Sequence, residues 1–413
     1  MKRMLARLIG TLRRYDRRFW TLFFVQMIVA VGFGAAMPFV SIYMHNGLGV
    51  SMTYVGTMML VSALVAAAGR IAGGEIADRI GRRPLIVGGM AARVLVFALM
   101  TYVIYVRAPA LIVSSVFVAI RLVGGLVRPG LAAMVADVVK PDQRVEAYAL
   151  FRIGQNAGWA LGPAIGGFVV ASSYASLFLL TTSASLVGLL LMVFLTGESI
   201  RVTETTQFSF HRVIDAAKDL RFLVFCGWSI LLYVVMGQFA STLSVFSIQV
   251  VGIAEPQLGT LFAINGAAVV LFQWPAARLA NRIGIRWGLV LGCLLYAAGY
   301  FSVALANGFP SLIGSMVVIT LGEVTFSPTS MAAVANMAPA VRVGRYMGFF
   351  GLTEALGWSL GPFVGGRLFD ASPGAPFMLW GIIAAIGVAA AAGFAVTTVD
   401  RRIAERKGEH GAF

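Results

Sequence analysis

The sequence predicts an all-α membrane protein of twelve transmembrane helices in two homologous six-helix bundles. Three observations carry that expectation. Of the 413 residues, 59% are hydrophobic and only 12% are charged, with a mean hydropathy of +0.87. An average soluble domain holds roughly 25% charged residues, so too little charge remains to cover a soluble surface, and the same composition excludes disorder. Apolar runs of about 20–25 residues, long enough to cross roughly 30 Å of hydrocarbon, recur twelve times. The two halves also match each other at a fixed offset.

The apolar runs centre near residues 31, 62, 95, 122, 158, 186, 236, 268, 296, 322, 357 and 387, and short connections carrying Gly, Pro or Asn join most of them. The first run, from Phe19 to about Tyr43, is too long for a signal-peptide core, and no small-residue cleavage site ends it. It is expected to stay as the first span. The longest polar stretch covers residues 198–220 and is the expected linker. It divides the chain into an N-terminal bundle over 1–197 and a C-terminal bundle with a short tail over 221–413.

A net charge of +15 would suggest nucleic acid in a soluble protein. Here the placement of the charge decides. The terminal segments and alternate loops contain 25 of the 32 lysines and arginines, whereas the opposite loops contain only Arg107, with Arg367 close by. The positive-inside rule then places both termini in the cytoplasm. The charge reflects topology and contact with anionic lipid, and no nucleic-acid partner is expected. Cys226 and Cys293 sit in apolar runs, with no disulfide framework or metal-ligand spacing.

The repeat is legible residue by residue. Pro141-x-x-Arg144-Val145-x-x-Tyr148 precedes the fifth run, and Pro339-x-x-Arg342-Val343-x-x-Tyr346 precedes the eleventh. The fifth run then reads Gly158-Trp159-Ala-Leu161-Gly162-Pro163-Ala-Ile-Gly166-Gly167. The eleventh reads Gly357-Trp358-Ser-Leu360-Gly361-Pro362-Phe-Val-Gly365-Gly366. Seven of these ten positions are identical at an offset of 199. Two homologous bundles form a transporter architecture, with a site expected at the repeat interface near the bilayer midplane.

At the end of the second run stands Gly73-Gly74-Glu75-Ile76-Ala77-Asp78-Arg79-Ile80-Gly81-Arg82-Arg83. On this twelve-run background it resembles the signature loop of the major facilitator superfamily, and with the repeat the resemblance spans the whole chain. It implies an inner-gate latch built from Gly74, Asp78, Arg79, Gly81, Arg82 and Arg83. Asp78 would face the positive N-terminal end of a neighbouring helix, and the arginines would bridge the cytoplasmic face. The plainer alternative is a turn of positive-inside arginines. In the second half Asn281 replaces the carboxylate of the corresponding loop, which weakens the expected second latch.

The glycines and proline of the fifth run, Gly158, Gly162, Pro163, Gly166 and Gly167, resemble the antiporter motif of drug:proton exchangers in that superfamily. Small residues let helices approach closely and proline bends them, which would seal the cavity against proton leak. Ordinary glycine-mediated packing is the alternative. Arg121, with Gly125 four residues on, resembles the superfamily's fourth-helix arginine motif. A charge near mid-bilayer costs about 2.5–3.5 kcal/mol on insertion scales, so it must meet a cavity, a partner or backbone carbonyls. Arg93 and Arg128 are also intramembrane, and Arg93 is expected to be structural.

Two carboxylates lie deep in apolar runs, Glu323 in the tenth and Glu354 in the eleventh. By resemblance the first, fourth, seventh and tenth helices line the cavity, which makes Glu323 the expected proton-coupling group, with Arg121 opposite and Glu354 behind it. A plain interhelical hydrogen bond is the alternative. Gln26, Phe33, Asn156, Tyr233, Met236, Gln238 and Phe326 are expected along the substrate path, where an apolar, Met-containing surface suits varied lipophilic ligands. His45, His211 and His410 are expected in loops or the tail.

Together these features imply a non-enzymatic, proton-coupled exporter of amphipathic small molecules, cationic ones included, working by alternating access. It is expected as a monomer in a bacterial inner membrane, with no cofactor and the proton gradient as its energy source. Export of one specific metabolite or lipid-like compound is the alternative within transport, and a transporter-shaped sensor lies outside it.

Overall fold

The computed structural model describes residues 15–140, 143–197, 218–339 and 342–397. The basic N-terminal segment, most of the expected linker and the tail, with His211 and His410, lie outside the described residues, as do Pro141 and Asp142. Among the described residues the regular structure is helical, with no strand.

In the first half these helices are α1 (Arg17–Ile42), α2 (Met52–Ile80), α3 (Arg82–Tyr105), α4 (Ala110–Val138), α5 (Arg144–Val170) and α6 (Tyr174–Leu195). A π-helical turn, Tyr43–Gly47, extends α1. In the second half they are α7a (Leu220–Met236), α7b (Thr242–Gln249), α8 (Glu255–Ile283), α9 (Ile285–Val303), α10 (Phe309–Met337), α11 (Val343–Ala371) and α12 (Pro376–Val396). Each apolar run thus becomes one helix, except that the seventh breaks at residues 237–241.

Nine of the described helices are long and apolar enough to cross a membrane: α1, α2, α3, α4, α6, α8, α9, α10 and α12. α7a is apolar but shorter. α5 and α11 have the length, at 27 and 29 residues, but carry the glycine-rich repeat where the others carry large apolar side chains.

The chain forms two units, residues 1–40 with 61–206, and residues 41–60 with 207–413. The division at 206 falls in the segment expected as the linker. The stretch 41–60, which holds the π-helical turn and the start of α2, groups with the later helices.

Inside the first unit, α5 lies against α1 through its glycines. A Cβ at Gly158 would stand 2.5 Å from the Ala30 Cβ, and one at Gly162 would stand 2.6 Å from the Val31 carbonyl oxygen. Inside the second unit, α11 lies against α7a in the same way. A Cβ at Gly357 would stand 2.4 Å from the Tyr233 Cβ, and one at Gly361 would stand 2.7 Å from the Gly237 Cα. Only residues without side chains permit these approaches, so the sequence repeat is also a packing repeat. The offset of 199 further relates Pro163 to Pro362 and Pro129 to Pro328, all inside helices.

The loops after α2 and α8 repeat as well. Gly81 and Gly284 have φ of +94° and +85°, a region that glycine enters without steric cost. At the same end of the first unit, Tyr15, just before α1, and Phe19 and Leu22 of α1 pack with Ile86 and Met90 of α3 and with Met134 and Val135 of α4. In the second unit Trp380 is fully buried, stacked on Tyr300 at 5.7 Å and edge-on to Phe246 at 5.2 Å.

Candidate transport site and gate motifs

The charged loop of the first unit is held by its arginines. Arg82 forms an ion pair with Asp137, near the end of α4. Arg83 donates from Nε to the Thr196 carbonyl at 2.9 Å and from a terminal nitrogen to the Val193 carbonyl at 3.0 Å. It thereby satisfies carbonyls at the C-terminal end of α6, which no intrahelical donor reaches. Arg79 pairs with Glu75 one turn back, and both are exposed, so that pair is worth little.

Asp78 is exposed and makes no hydrogen bond or ion pair among the described residues. The carboxylate that anchors the loop is Asp137, to which the sequence reading assigned no role. Gly74 has open space around it, whereas a Cβ at Gly73 would stand 2.2 Å from the Leu126 carbonyl oxygen. Gly73, and not Gly74, is therefore the glycine of this loop sequence that brings α2 against α4, together with Gly69 and Gly125. The side chain of Asn281 lies outside the described residues, and nearby Arg278 sits over the Trp274 ring at 3.4 Å.

Of the residues that resemble the antiporter motif, Gly158, Gly162, Pro163 and Gly166 lie on the α1 face of α5. A Cβ at Gly166 would stand 2.4 Å from the Ala35 carbonyl oxygen, Pro163 faces Gly34, and Gly167 is buried beside them. The two repeated tyrosines are pinned by their hydroxyls. Tyr148 donates to the Ala132 carbonyl at 2.8 Å, and Tyr346 donates to Asp219 at 3.0 Å. Asp219 also caps the N-terminus of α7a, accepting from the backbone N–H groups of Arg221 and Phe222.

Glu323 is half-buried on α10, and Asn265 of α8 faces it. The Asn265 amide nitrogen donates to the Glu323 carboxylate at 3.2 Å and to the Thr320 hydroxyl at 2.9 Å. The Thr320 hydroxyl spends its single proton on the Met316 carbonyl at 2.7 Å, so its oxygen must accept. That fixes the amide with its N–H groups toward both partners and makes Glu323 an acceptor. Asn265 was missed in the sequence because one asparagine in an apolar run carries no pairing signal. Glu354 is half-buried on α11, close enough to Tyr233 to act on it electrostatically.

Four residues expected along the substrate path are packed inside the second unit. Tyr233, Met236, Gln238 and Phe326 are all buried. Gln238 donates to the Val234 and Gly361 carbonyls at 2.8 and 2.9 Å and accepts from Thr242 at 2.7 Å, which ties the broken seventh helix to α11. Phe326 packs between Tyr233 and Phe394, at 6.0 and 5.9 Å. In the first unit Gln26 and Phe33 are half-buried and Asn156 is exposed. Arg121 and Arg93 both lie over the Phe33 ring, at 5.6 and 5.9 Å. His45 is half-buried, its Nδ1 2.7 Å from the Val50 carbonyl oxygen.

This arrangement of helices, glycine seams and embedded charges has known counterparts. The family described as Major Facilitator Superfamily matches the chain twice, over residues 22–252 and 220–412. The chain belongs to the Major Facilitator Superfamily. It is a multi-pass membrane transporter of small molecules and not an enzyme. The multidrug resistance protein MdtH of Photorhabdus laumondii is 30% identical over 379 residues, covering 88% of this chain and 91% of the relative. The transporter YttB of Bacillus subtilis (strain 168) is 28% identical over 356 residues, covering 84% and 86%. Among solved structures, the nucleoside transporter NupG aligns with a TM-score of 0.75 at 16% identity, over 92% of this chain and 98% of that one. At that identity the likeness extends to the fold alone.

Proposed function

We propose that this transporter exports amphipathic small molecules in exchange for protons, by alternating access, with Glu323 as the proton-exchanging carboxylate. The observation that carries the reading is the Asn265–Thr320–Glu323 cluster, an ionisable group in the hydrocarbon region held by a fixed amide donor. Intramembrane ionisable residues are costly and mark ion or proton pathways. Any carboxyl holds its proton more tightly when desolvated and releases it beside a cation or water. A carboxyl whose surroundings alternate between the two facings therefore trades a proton for substrate. Arg121 is the proposed cation of that cycle and Glu354 the secondary carboxylate. The resemblance to MdtH supports a drug-like, amphipathic cargo.

In this reading the protein works as a monomer in a bacterial inner membrane, with the basic loop ends cytoplasmic and the proton gradient as its energy source. Glu323→Gln, which keeps shape and hydrogen bonding but removes titration, tests it in proteoliposomes. The variant is expected to fold and to lose pH-gradient-driven transport. If it pumps at the wild-type rate with the same pH dependence, Glu323 is not the coupling group and Glu354 is next.

A further inference from the structure

In the first unit two arginines near mid-helix, Arg93 and Arg121, have no acid beside them. Its described Asp and Glu residues, namely Asp16, Glu75, Asp78, Asp137 and Glu146, all stand near the helix ends that carry the Gly81 loop. Between Arg83 and Asp137 the chain contains no Asp or Glu, and none lies within α1 or α6. Arg93 is nonetheless the twelfth residue of α3, and Arg121 the twelfth of α4.

Arg93 is 7% exposed, and its guanidinium lies 4.8 Å from the centre of the Phe97 ring. Its Nε donates to the Ser185 hydroxyl at 3.2 Å, while Nη2 is buried without a partner. Arg121 shares the Phe33 ring with Arg93, and its Nε is likewise buried without a partner. The two cations repel each other, and neither forms an ion pair among the described residues. Contact with an aromatic face offsets only part of the cost of embedding a guanidinium. The planar fork that each presents matches a carboxylate or sulfonate. Phe33 in turn stands edge-on to Trp159 at 5.7 Å, and Trp159 is 38% exposed.

We propose that Arg93, Arg121 and Phe33 form an anion subsite that takes the carboxylate or sulfonate head of an amphipathic organic anion, with the ligand's apolar body against Phe33 and Trp159. The proposal rests on the reading of this chain as an exporter of amphipathic molecules and narrows their class to those with an acidic head. Arg93 thereby becomes a ligand-binding residue and not only a structural one.

The test is equilibrium binding to the full-length carrier in phosphatidylcholine nanodiscs, without a pH gradient and against empty nanodiscs. The probes are a radiolabelled naphthoate and the matching naphthamide, which differ in charge and hardly in shape. The wild type is expected to bind the acid about tenfold or more tighter than the amide. Arg93→Gln and Arg121→Gln should each bring the two probes to within about twofold of one another. Arg93→Lys, which keeps the charge without the fork, should fall between, and Phe33→Leu should weaken acid and amide alike.

Equal binding of acid and amide by the wild type, or no measurable binding of the acid, overturns the proposal whatever the variants do. So does an unchanged preference in either Gln variant that elutes as a monodisperse protein. Displacement of the acid by chloride in place of gluconate, at fixed ionic strength and as readily as by unlabelled naphthoate, reassigns the subsite to an inorganic anion and overturns the organic assignment. Because no gradient is used, failure here leaves the Glu323 reading standing. A Glu323→Gln variant that pumps normally while the acid preference holds would remove the coupling reading and keep the subsite.

Discussion

Asp78, at the end of α2, and Arg82, at the start of α3, lie four residues apart and have different surroundings. Arg82 is paired with Asp137, whose side chain is 7% exposed, and removing one member of a buried pair strands the other. Asp137→Asn is therefore expected to lower stability by about 3 kcal/mol, read as a drop in the detergent unfolding midpoint. Asp78→Asn should stay within about 0.5 kcal/mol of wild type, as exposed substitutions do. As the proposed moving part of the gate, Asp78 should slow turnover when neutralised, with ligand binding preserved. Unchanged turnover would reduce Asp78 to a charge that only sets loop topology. At Glu323 the relevant neighbour is an amide and not a charge, and a Thr320 hydroxyl already committed to the Met316 carbonyl fixes the orientation of that amide.

At the scale of elements, the two glycine seams hold each unit together. α5 against α1 and α11 against α7a are backbone-to-backbone contacts, so an added methyl has nowhere to go. Gly162→Ala and Gly361→Ala place a Cβ 2.6–2.8 Å from the carbonyl oxygens of Val31 and Val234, respectively. Overpacking of this kind costs typically about 1–3 kcal/mol, and each variant should melt correspondingly earlier. Gly74→Ala meets nothing within 4 Å and should melt at or slightly above the wild-type temperature, since alanine is the better helix former. If all three melt alike, the seams are not what holds these helices together. The break at 237–241 follows the same logic. Gln238 bonds to the α11 backbone where the seventh helix opens, so the interruption is satisfied inside protein, as membrane burial demands.

For the whole molecule, the expected topology is the property most directly open to test. Cys226 and Cys293 are buried, so single cysteines can be introduced against a low labelling background. Gly47→Cys and Gly308→Cys should react with an impermeant maleimide added to intact cells. Asp142→Cys should react only after the membrane is opened. The reverse pattern would invert the positive-inside assignment and with it the direction in which the loop charges face.

The sequence alone determined the fold class, the helix positions and the internal repeat. Those features depend on quantities that are local along the chain: apolar length against bilayer thickness, glycine and proline spacing, and the count of basic residues per loop. It also drew attention to Glu323, because a carboxylate in an apolar run is conspicuous without any knowledge of its neighbours. Only the tertiary structure decided who those neighbours are. Asn265 and Glu323 are 58 residues apart, and Arg82 and Asp137 are 55 apart, so no pattern within a single helix announces either contact. For Tyr233, Met236, Gln238 and Phe326 the sequence offered only an expected face, and the structure packs all four inside the second unit. In a nearly uniformly apolar helix the hydrophobic pattern does not distinguish a face toward lipid, a cavity or another helix, because lipid tails are as apolar as a packed interior. Arg93 shows the same limit from the other side: its place in the sequence suggested a structural role, and its pairing with Arg121 over one phenyl ring became visible only once α1, α3 and α4 had packed together.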